Sequence, residues 1–195
     1  MFVSAGFDGS STDDFTVIRV ETMDYWQFTP TYGDVRRPTV WAPQEWGGVI
    51  PRAEVHAAVA ELFATFQVCR FYCDPRDWQS EIQSWALEYG EKRVLPWVTG
   101  RLPQMHAALE RFKTDLTTGL LTHDDCPITK THIANARKVP RPGEKYLIGK
   151  PHGAYHQRID AAMASVLAHE AACDAVAAGE NVEVDEGYVY VYSSY

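Results

Sequence analysis

Apolar and polar positions alternate along the first forty residues and predict extended chain. The segments FVSAGFD (2–8) and FTVIRVETM (15–23) are mostly apolar and rich in β-branched residues, which favours strands on either side of the turn GSSTDD. YWQF and PTVWAP continue in extended fashion, with TPTYGD as a turn between them. The domain is therefore predicted to open with two or three antiparallel strands.

Beyond Pro51 the apolar residues recur at helical spacing, and short apolar runs separate the helical stretches. The predicted helical faces are Val55/Ala58/Val59/Leu62/Phe63/Phe66, Trp78/Ile82/Trp85/Tyr89, Met105/Ala108/Leu109/Phe112/Leu116 and Ile159/Ala162/Met163/Val166/Leu167. QVCRFYC, RVLPWV and LLTH are predicted strands between them. Residues 137–155, rich in Pro and Gly, predict a long irregular segment. This order predicts an α/β domain with a mixed sheet.

Length and charge limit the domain organisation and the kinds of partner that the chain can have. The 195 residues suit one domain over 1–178 and a tail over 179–195, which is expected to add a strand or form a flexible arm. The net charge of −8 excludes binding of nucleic acid by bulk charge, so any such contact must be local, metal-assisted or helped by a partner. No apolar run of about 18 residues and no signal-peptide pattern occur, so no membrane association is expected.

The four cysteines form neither a C-x-x-C pair nor a Cys/His zinc spacing. They are Cys69, Cys73, Cys126 and Cys173. We interpret all four as reduced thiols of a cytosolic protein.

Three carboxylates stand at the ends of predicted elements. Asp8 ends the first strand, Asp74 ends the strand after the first helix, and Asp160 opens the last helix. If the two strands are parallel neighbours, Asp8 and Asp74 lie side by side at one edge of the sheet, where open α/β sheets place their sites. Asp160 lies in line with Ala164 and Leu167 and so faces partly toward the sheet. We expect the three acids to converge.

Converging carboxylates repel one another unless a cation lies among them. Ligand sets made only of carboxylates suit Mg²⁺ or Mn²⁺, and two such ions can stabilise the attacking and leaving oxygens of a phosphodiester. Each acid also has a purely structural interpretation: Asp8 as a turn former, Asp74 as a helix cap and Asp160 as a partner of the helix dipole. Only their joint placement favours a metal site.

The ordered stretches GFDGSSTDDFTVI, FYCDPRDWQSEI and RIDAAMASVLAHEA resemble the nuclease domain of terminase large subunits of tailed bacteriophages. The resemblance covers roughly residues 4–175. It extends to Asp74-Pro75 with Trp78, to GLLTH with His123, to IANA with Asn135, and to Lys150 ahead of RID. The spacing between Asp74 and Trp78 departs from the family pattern, which puts the role of Trp78 in doubt.

The resemblance implies a ribonuclease H-like fold and a metal-dependent endonuclease that cuts concatemeric viral DNA during genome packaging. Asp8, Asp74 and Asp160 would hold two Mg²⁺ or Mn²⁺ ions, with Asp8 bridging them. Lys150, His123 and His156 are candidate auxiliary residues, whereas Asp13 and Asp14 are expected to order the hairpin. The implied partners are double-stranded DNA, a packaging ATPase domain or chain, the terminase small subunit and the portal or prohead, in the host bacterial cytoplasm.

Other interpretations remain open at this stage. The sequence contains no G-x-x-x-x-G-K-[ST] loop, so we expect either that this chain is an excised domain or that the packaging ATPase is a separate chain. The GFDGSST hairpin is also similar to that of sugar kinases and actin-like ATPases, although no second phosphate loop or adenosine loop is evident. Resolvase-type and transposase-type nucleases share the predicted fold. A non-catalytic docking module for a motor or capsid is the alternative outside the enzymes.

Overall fold

The structure is a computed structural model, and it describes residues 1–154 and 156–180. Its strands are β1 Phe2–Asp8, β2 Thr16–Thr22, β3 Trp26–Phe28, β4 Thr31–Tyr32, β5 Arg37–Pro38, β6 Val40–Trp41, β7 Gln67–Cys73, β8 Val94–Pro96, β9 Thr122–His123, β10 Arg137–Arg141 and β11 Lys145–Gly149. Its α-helices are α1 Arg52–Thr65, α2 Gln79–Tyr89, α3 Leu102–Thr118, α4 Pro127–Asn135 and α5 Asp160–Ala177, and Pro43–Trp46 forms a 3-10 helix.

The central sheet is mixed, as the sequence predicts. Its strands follow the order β8-β7-β1-β2-β3-β9, and β6 also pairs with β2. β1 is antiparallel to β2 but parallel to β7, and β7 is parallel to β8. The parallel pairing aligns the carboxyl ends of β1, β7 and β8 along one edge of the sheet. Among the described residues, no helix is both long enough and apolar enough to cross a membrane.

Helices cover both faces of this sheet. The main hydrophobic core packs α1 and α2 against one face through residues such as Val3, Phe7 and Trp85. A second cluster packs α3 and α5 on the opposite face, with Met105, Phe112 and Leu167 among its buried members. The α/β/α layering buries β1 and β2 on both sides, so that β2 holds Arg19 and Glu21 fully buried among its apolar residues.

The contact between α5 and β1 is unusually close because it includes a glycine. A Cβ atom added to Gly6 would lie 2.2 Å from the carbonyl oxygen of Ala164 and 2.4 Å from the amide nitrogen of Ala168. Side chains along a strand alternate between faces, so Asp8 is directed to the same face as Gly6. Asp160 lies one helical turn before Ala164. The packing at Gly6 therefore carries the start of α5 toward the end of β1.

The structure corrects two expectations about residues after α3. Residues 137–155, predicted to be irregular, contain the antiparallel hairpin β10–β11. Pro142 and Gly143 form its turn and Gly149 ends β11, while Pro140 lies within β10 opposite Tyr146, so composition alone was misleading. The sequence analysis also missed helix α4, whose nine residues carry only a short apolar pattern. The predicted tail strand and the boundary near 178 remain predictions, and residues 181–195 lie outside the described part of the chain.

Candidate metal-binding site

The carboxyl ends of β1 and β7 place Asp8 and Asp74 next to each other. Phe7 pairs with Cys73 in the parallel ladder, and the amide of Asp74 donates a hydrogen bond to the carbonyl oxygen of Phe7 at 3.0 Å. Asp160, at the first residue of α5, faces the same cleft. The three acids line one cavity of about 420 Å³ together with residues of the β1–β2 loop and Lys150. The predicted convergence of the three elements is therefore present in the structure.

Hydrogen bonds hold Asp74 and leave part of Asp160 without a partner. The hydroxyl of Thr99 donates to Oδ2 of Asp74 at 2.7 Å. Oδ2 of Asp160 is buried and has no hydrogen-bond partner among the described residues. A buried carboxylate oxygen without a partner is costly, and a bound cation would satisfy it. The donor set, three carboxylates at the rim of a polar cavity, fits a hard divalent cation.

The crowded charges change the acidity of these groups. Desolvation in the cleft, followed by the negative charges of Asp160, Asp74 and Asp14, raises the pKa of Asp8 well above its usual range. Burial and the neighbouring Asp14 raise the pKa of Asp160 to about 6. A divalent ion among these groups would favour their ionised forms and would therefore act against both shifts.

Lys150 and Asp14 form an ion pair at the mouth of the cavity. The ammonium of Lys150 donates to Asp14, and the guanidinium of Arg158 donates to the same carboxylate oxygen. Lys150, a predicted auxiliary residue, therefore lies beside the three acids. The sequence analysis assigned Asp14 to ordering the hairpin. In the structure it pairs with the Lys150 and Arg158 side chains, and its charge also raises the pKa of Asp8 and of Asp160.

The two predicted auxiliary histidines lie elsewhere. His123 belongs to β9, at the opposite edge of the sheet from β8, where its Nδ1 accepts a hydrogen bond from the amide of Asp125. His156 is exposed in the turn before α5. Among the described residues, neither is part of the cavity lining. Their proposed role in catalysis stays a prediction that this arrangement does not support.

Thr99 and Arg76 are cavity residues that the sequence analysis did not identify. Thr99 follows β8, which is parallel to β7. A polar residue after the carboxyl end of this strand could therefore have been predicted to lie at the same sheet edge as Asp74. Arg76 follows Asp74 by two residues. Its positive charge lowers the pKa of Asp8 and so partly opposes the increase caused by burial and by the neighbouring acids.

Trp78 has a structural role that the resemblance left in doubt. Its indole is fully buried, and Nε1 donates to the carbonyl oxygen of Ser10 at 3.1 Å. The ring also packs edge-on against Phe7 at 5.2 Å. Trp78 therefore ties the loop after Asp8 to the start of α2. Asn135 ties the end of α4 to the segment before α5, since its side-chain amide donates to the carbonyl oxygen of Arg158.

Solved structures that share this arrangement of strands and helices include large terminases and terminase nucleases. The large terminase of bacteriophage HK97 superposes with a TM-score of 0.65 at 16% identity, covering 88% of this chain and 39% of that one. The large terminase nuclease of the thermophilic phage G20c superposes with a TM-score of 0.62 at 12% identity, covering 87% and 81%. The chain has the ribonuclease H-like fold of terminase nuclease domains.

A second structure of the G20c nuclease, solved with bound magnesium, has a TM-score of 0.59 at 11% identity and covers 87% of this chain and 80% of that one. At this level of identity the likeness establishes the fold alone.

Sequence relatives come from mycobacterial phages. The Gene 13 proteins of Mycobacterium phages D29 and L5 are each 28% identical over 182 residues, which is 88% of this chain. The chain spans 29% of the length of these curated relatives. No protein-family model matches the chain.

Proposed function

We propose that this chain is the nuclease part of a phage terminase, a divalent-metal-dependent endonuclease that cuts concatemeric viral DNA during genome packaging. The observation that carries the proposal is the meeting of Asp8, Asp74 and Asp160 in one polar cleft, with a buried oxygen of Asp160 left without a protein partner. The likeness to terminase nucleases, one of them solved with bound magnesium, supports this choice of function.

Each acid has a distinct position from which it would hold an ion. Asp8 ends β1, the strand beside that of Asp74, and the charges of both Asp160 and Asp74 act on it, so it would contribute to both of two Mg²⁺ or Mn²⁺ ions. Asp74 would bind one ion through an oxygen held by Thr99, and Asp160 would bind the other through its unpaired oxygen. Bound there, the ions would activate a water molecule and neutralise charge on the scissile phosphodiester.

A basic segment leads to Lys150 of the cleft in an otherwise acidic chain. Residues 137–150, which contain the β10–β11 hairpin and Lys150, include five Lys or Arg residues and one Glu. This is the local positive charge that an acidic protein needs in order to approach a phosphate backbone. Lys150 would face the phosphate while Asp14 holds it in place. Stronger attachment to DNA would come from a packaging ATPase, the small subunit or the portal, in the host cytoplasm.

Nicking of supercoiled plasmid by the purified chain tests this proposal. We expect cleavage with Mn²⁺ or Mg²⁺, none with EDTA, and none with Asp8→Asn, Asp74→Asn or Asp160→Asn. Asp34→Asn, an exposed acid in a turn far along the chain from the cleft residues, is the matched control and should cut normally. Folded triad variants that still cut would refute the site assignment.

ATP hydrolysis measured on the same samples separates the nuclease from a kinase-like interpretation. We expect none, because the sequence lacks a phosphate loop of the G-x-x-x-x-G-K-[ST] type. Appreciable hydrolysis that depends on Asp8, without nicking, would instead favour the actin-like or sugar-kinase alternative. Stable folding with neither activity would favour a docking module.

A further inference from the structure

A second group of metal-ligating side chains lies on α5, away from the acidic cleft. His169 and Cys173 are one helical turn apart on α5, and Asp115 of α3 faces them. Nε2 of His169 lies 3.0 Å from Oδ2 of Asp115 and 3.7 Å from Sγ of Cys173, and the three ligand atoms lie within 4.8 Å of one another. His169 is nine residues after Asp160, about 13 Å along the helix, so the group is separate from the acidic site.

The orientation of the imidazole is fixed from its other nitrogen. Nδ1 of His169 lies 2.8 Å from Oε1 of Glu21, and the amide of Gln27 donates to the second oxygen of Glu21 at 2.6 Å. Glu21 and His169 are both fully buried. A carboxylate on the far nitrogen of a histidine is the arrangement that fixes the tautomer and orientation of a metal ligand. In the Nδ1–H tautomer it would direct the Nε2 lone pair at Asp115 and Cys173.

The contact between Nε2 of His169 and Oδ2 of Asp115 depends on the tautomer of the imidazole. Nε2 of the Nδ1–H tautomer and Oδ2 of Asp115 both carry lone pairs, so either a proton or a metal ion must lie at this point. Tetrahedral zinc with ordinary bond lengths separates nitrogen from oxygen by about 3.3 Å and nitrogen from sulfur by about 3.6 Å. The observed 3.0 Å and 3.7 Å lie within about 0.3 Å of these separations.

We propose that Asp115, His169 and Cys173 bind a thiophilic divalent cation, Zn²⁺, that links α3 to α5. One oxygen, one imidazole nitrogen and one thiolate sulfur form a mixed donor set that suits zinc and disfavours magnesium or calcium. Asp115 and Cys173 are partly exposed, which leaves the ion an entry route and a fourth position for water. The sequence shows no zinc spacing because Asp115 comes from another helix, 54 residues before His169.

Neighbouring charges are compatible with this ion. The guanidinium of Arg111 lies close enough to Cys173 and Glu170 for both to raise the pKa of the arginine. Its positive charge would balance the negative charges of Glu170 and of a thiolate ligand. Tyr25 packs its ring edge-on against His169 at 5.8 Å and closes one side of the group. Occupation of the site would stabilise the α3–α5 contact that supports the buried face of the sheet.

Cobalt substitution in the tag-free, reduced chain tests the site directly. Co²⁺ should produce a thiolate-to-metal charge-transfer absorption and tetrahedral d–d bands at one equivalent per chain, and Zn²⁺ should abolish both. Cys173→Ser should lose the charge-transfer absorption, whereas Cys69→Ser, another partly exposed thiol, should keep it. Asp8→Asn should also keep it, since a metal held by the acidic cleft has no sulfur ligand.

Affinity measurements extend the test to the other residues. Competition against a chromophoric chelator should show zinc bound at least about tenfold more weakly by Cys173→Ser and Asp115→Asn. Glu21→Gln should weaken binding by about 10–100-fold while retaining the cobalt spectrum, because it changes only the support of the imidazole. Absence of the charge-transfer absorption in the unaltered chain, or its persistence in Cys173→Ser, would overturn the proposal. The group would then be a Glu21–His169–Asp115 ionic cluster.

Discussion

Gly6 of β1 lies directly against the backbone of Ala164 in α5. The space above its α-carbon is too small for a methyl group, since a Cβ atom would lie 2.2 Å from the Ala164 carbonyl oxygen. The obstructing atoms belong to a helix backbone, which cannot rotate away as a side chain can. This contact sets the height of α5 above β1 and thereby the distance between Asp160 and Asp8.

Gly6→Ala should therefore displace α5 and separate the acids of the cleft. We expect a loss of at least about 2 kcal/mol in the free energy of unfolding, as for an overpacked core, together with a loss of metal-dependent nicking. Urea denaturation and plasmid nicking measure the two effects. Gly100→Ala is the matched control, because a Cβ atom there meets no atom within 4 Å, and its stability should change by no more than about 0.5 kcal/mol.

Asp160→Asn should stabilise the metal-free protein at neutral pH while abolishing cleavage. The folded pKa of Asp160, about 6, lies above the ordinary value of 3.8, so the native state holds the proton more tightly than the unfolded state. Stability from this group is present below pH 4 and is lost as the pH rises through 6. The variant should gain about 1–3 kcal/mol over the unaltered protein at pH 7 and nothing at pH 3.

Urea denaturation of both proteins at pH 7 and pH 3, recorded in EDTA, measures this difference in the free energy of unfolding. Addition of Mn²⁺ should raise the melting temperature of the unaltered protein and leave that of the variant almost unchanged. A variant that melts earlier than the unaltered protein at pH 7 would show that Asp160 is a structural helix-start residue and not part of a repulsive cluster.

Thr99→Val should weaken metal binding without unfolding the chain. The substitution keeps the shape of the side chain but removes the hydroxyl that donates to Oδ2 of Asp74. We expect the Mn²⁺ concentration for half-maximal nicking to rise by about 10–100-fold, the usual effect of losing a hydrogen bond that orients a metal ligand. Thr99→Ser retains the donor and should restore most of the affinity. Equal behaviour of the two variants would contradict this role.

His132 should make stability depend on pH between 4 and 6.5. Burial, followed by the charge of Arg158, lowers the pKa of His132 to about 4, and its Nδ1 accepts a hydrogen bond from the amide of Ala161 at 3.0 Å. The unfolded state therefore binds more protons in this range, so the contribution of His132 to stability decreases as the pH falls from 6.5 to 4.

His132→Asn keeps an acceptor near the Ala161 amide but removes the titration. The difference in free energy of unfolding between the two proteins should shrink by about 2 kcal/mol between pH 7 and pH 4, as judged by urea denaturation. A difference that stays constant over this range would mean that His132 keeps its ordinary acidity in the folded protein.

Local patterns in the sequence determined the elements that carry the acids. Apolar β-branched runs ending in Asp8 and Asp74, and a helical apolar face opening at Asp160, are signals of a few residues each, and the sheet order follows general rules for α/β chains. The hairpin over 137–149 and helix α4 escaped prediction because their stability comes from packing against α3 and α5 more than from their own composition.

Only the tertiary structure decided which side chains meet. Sequence spacing cannot show that Asp14 pairs with Lys150, 136 residues later, or that His123 lies at the far edge of the sheet from the acids. The Asp115, His169 and Cys173 group likewise exists only because α3 packs on α5. Contacts between distant residues depend on how whole elements pack, and a single small residue such as Gly6 sets that packing through a van der Waals contact that leaves no periodic trace in the sequence.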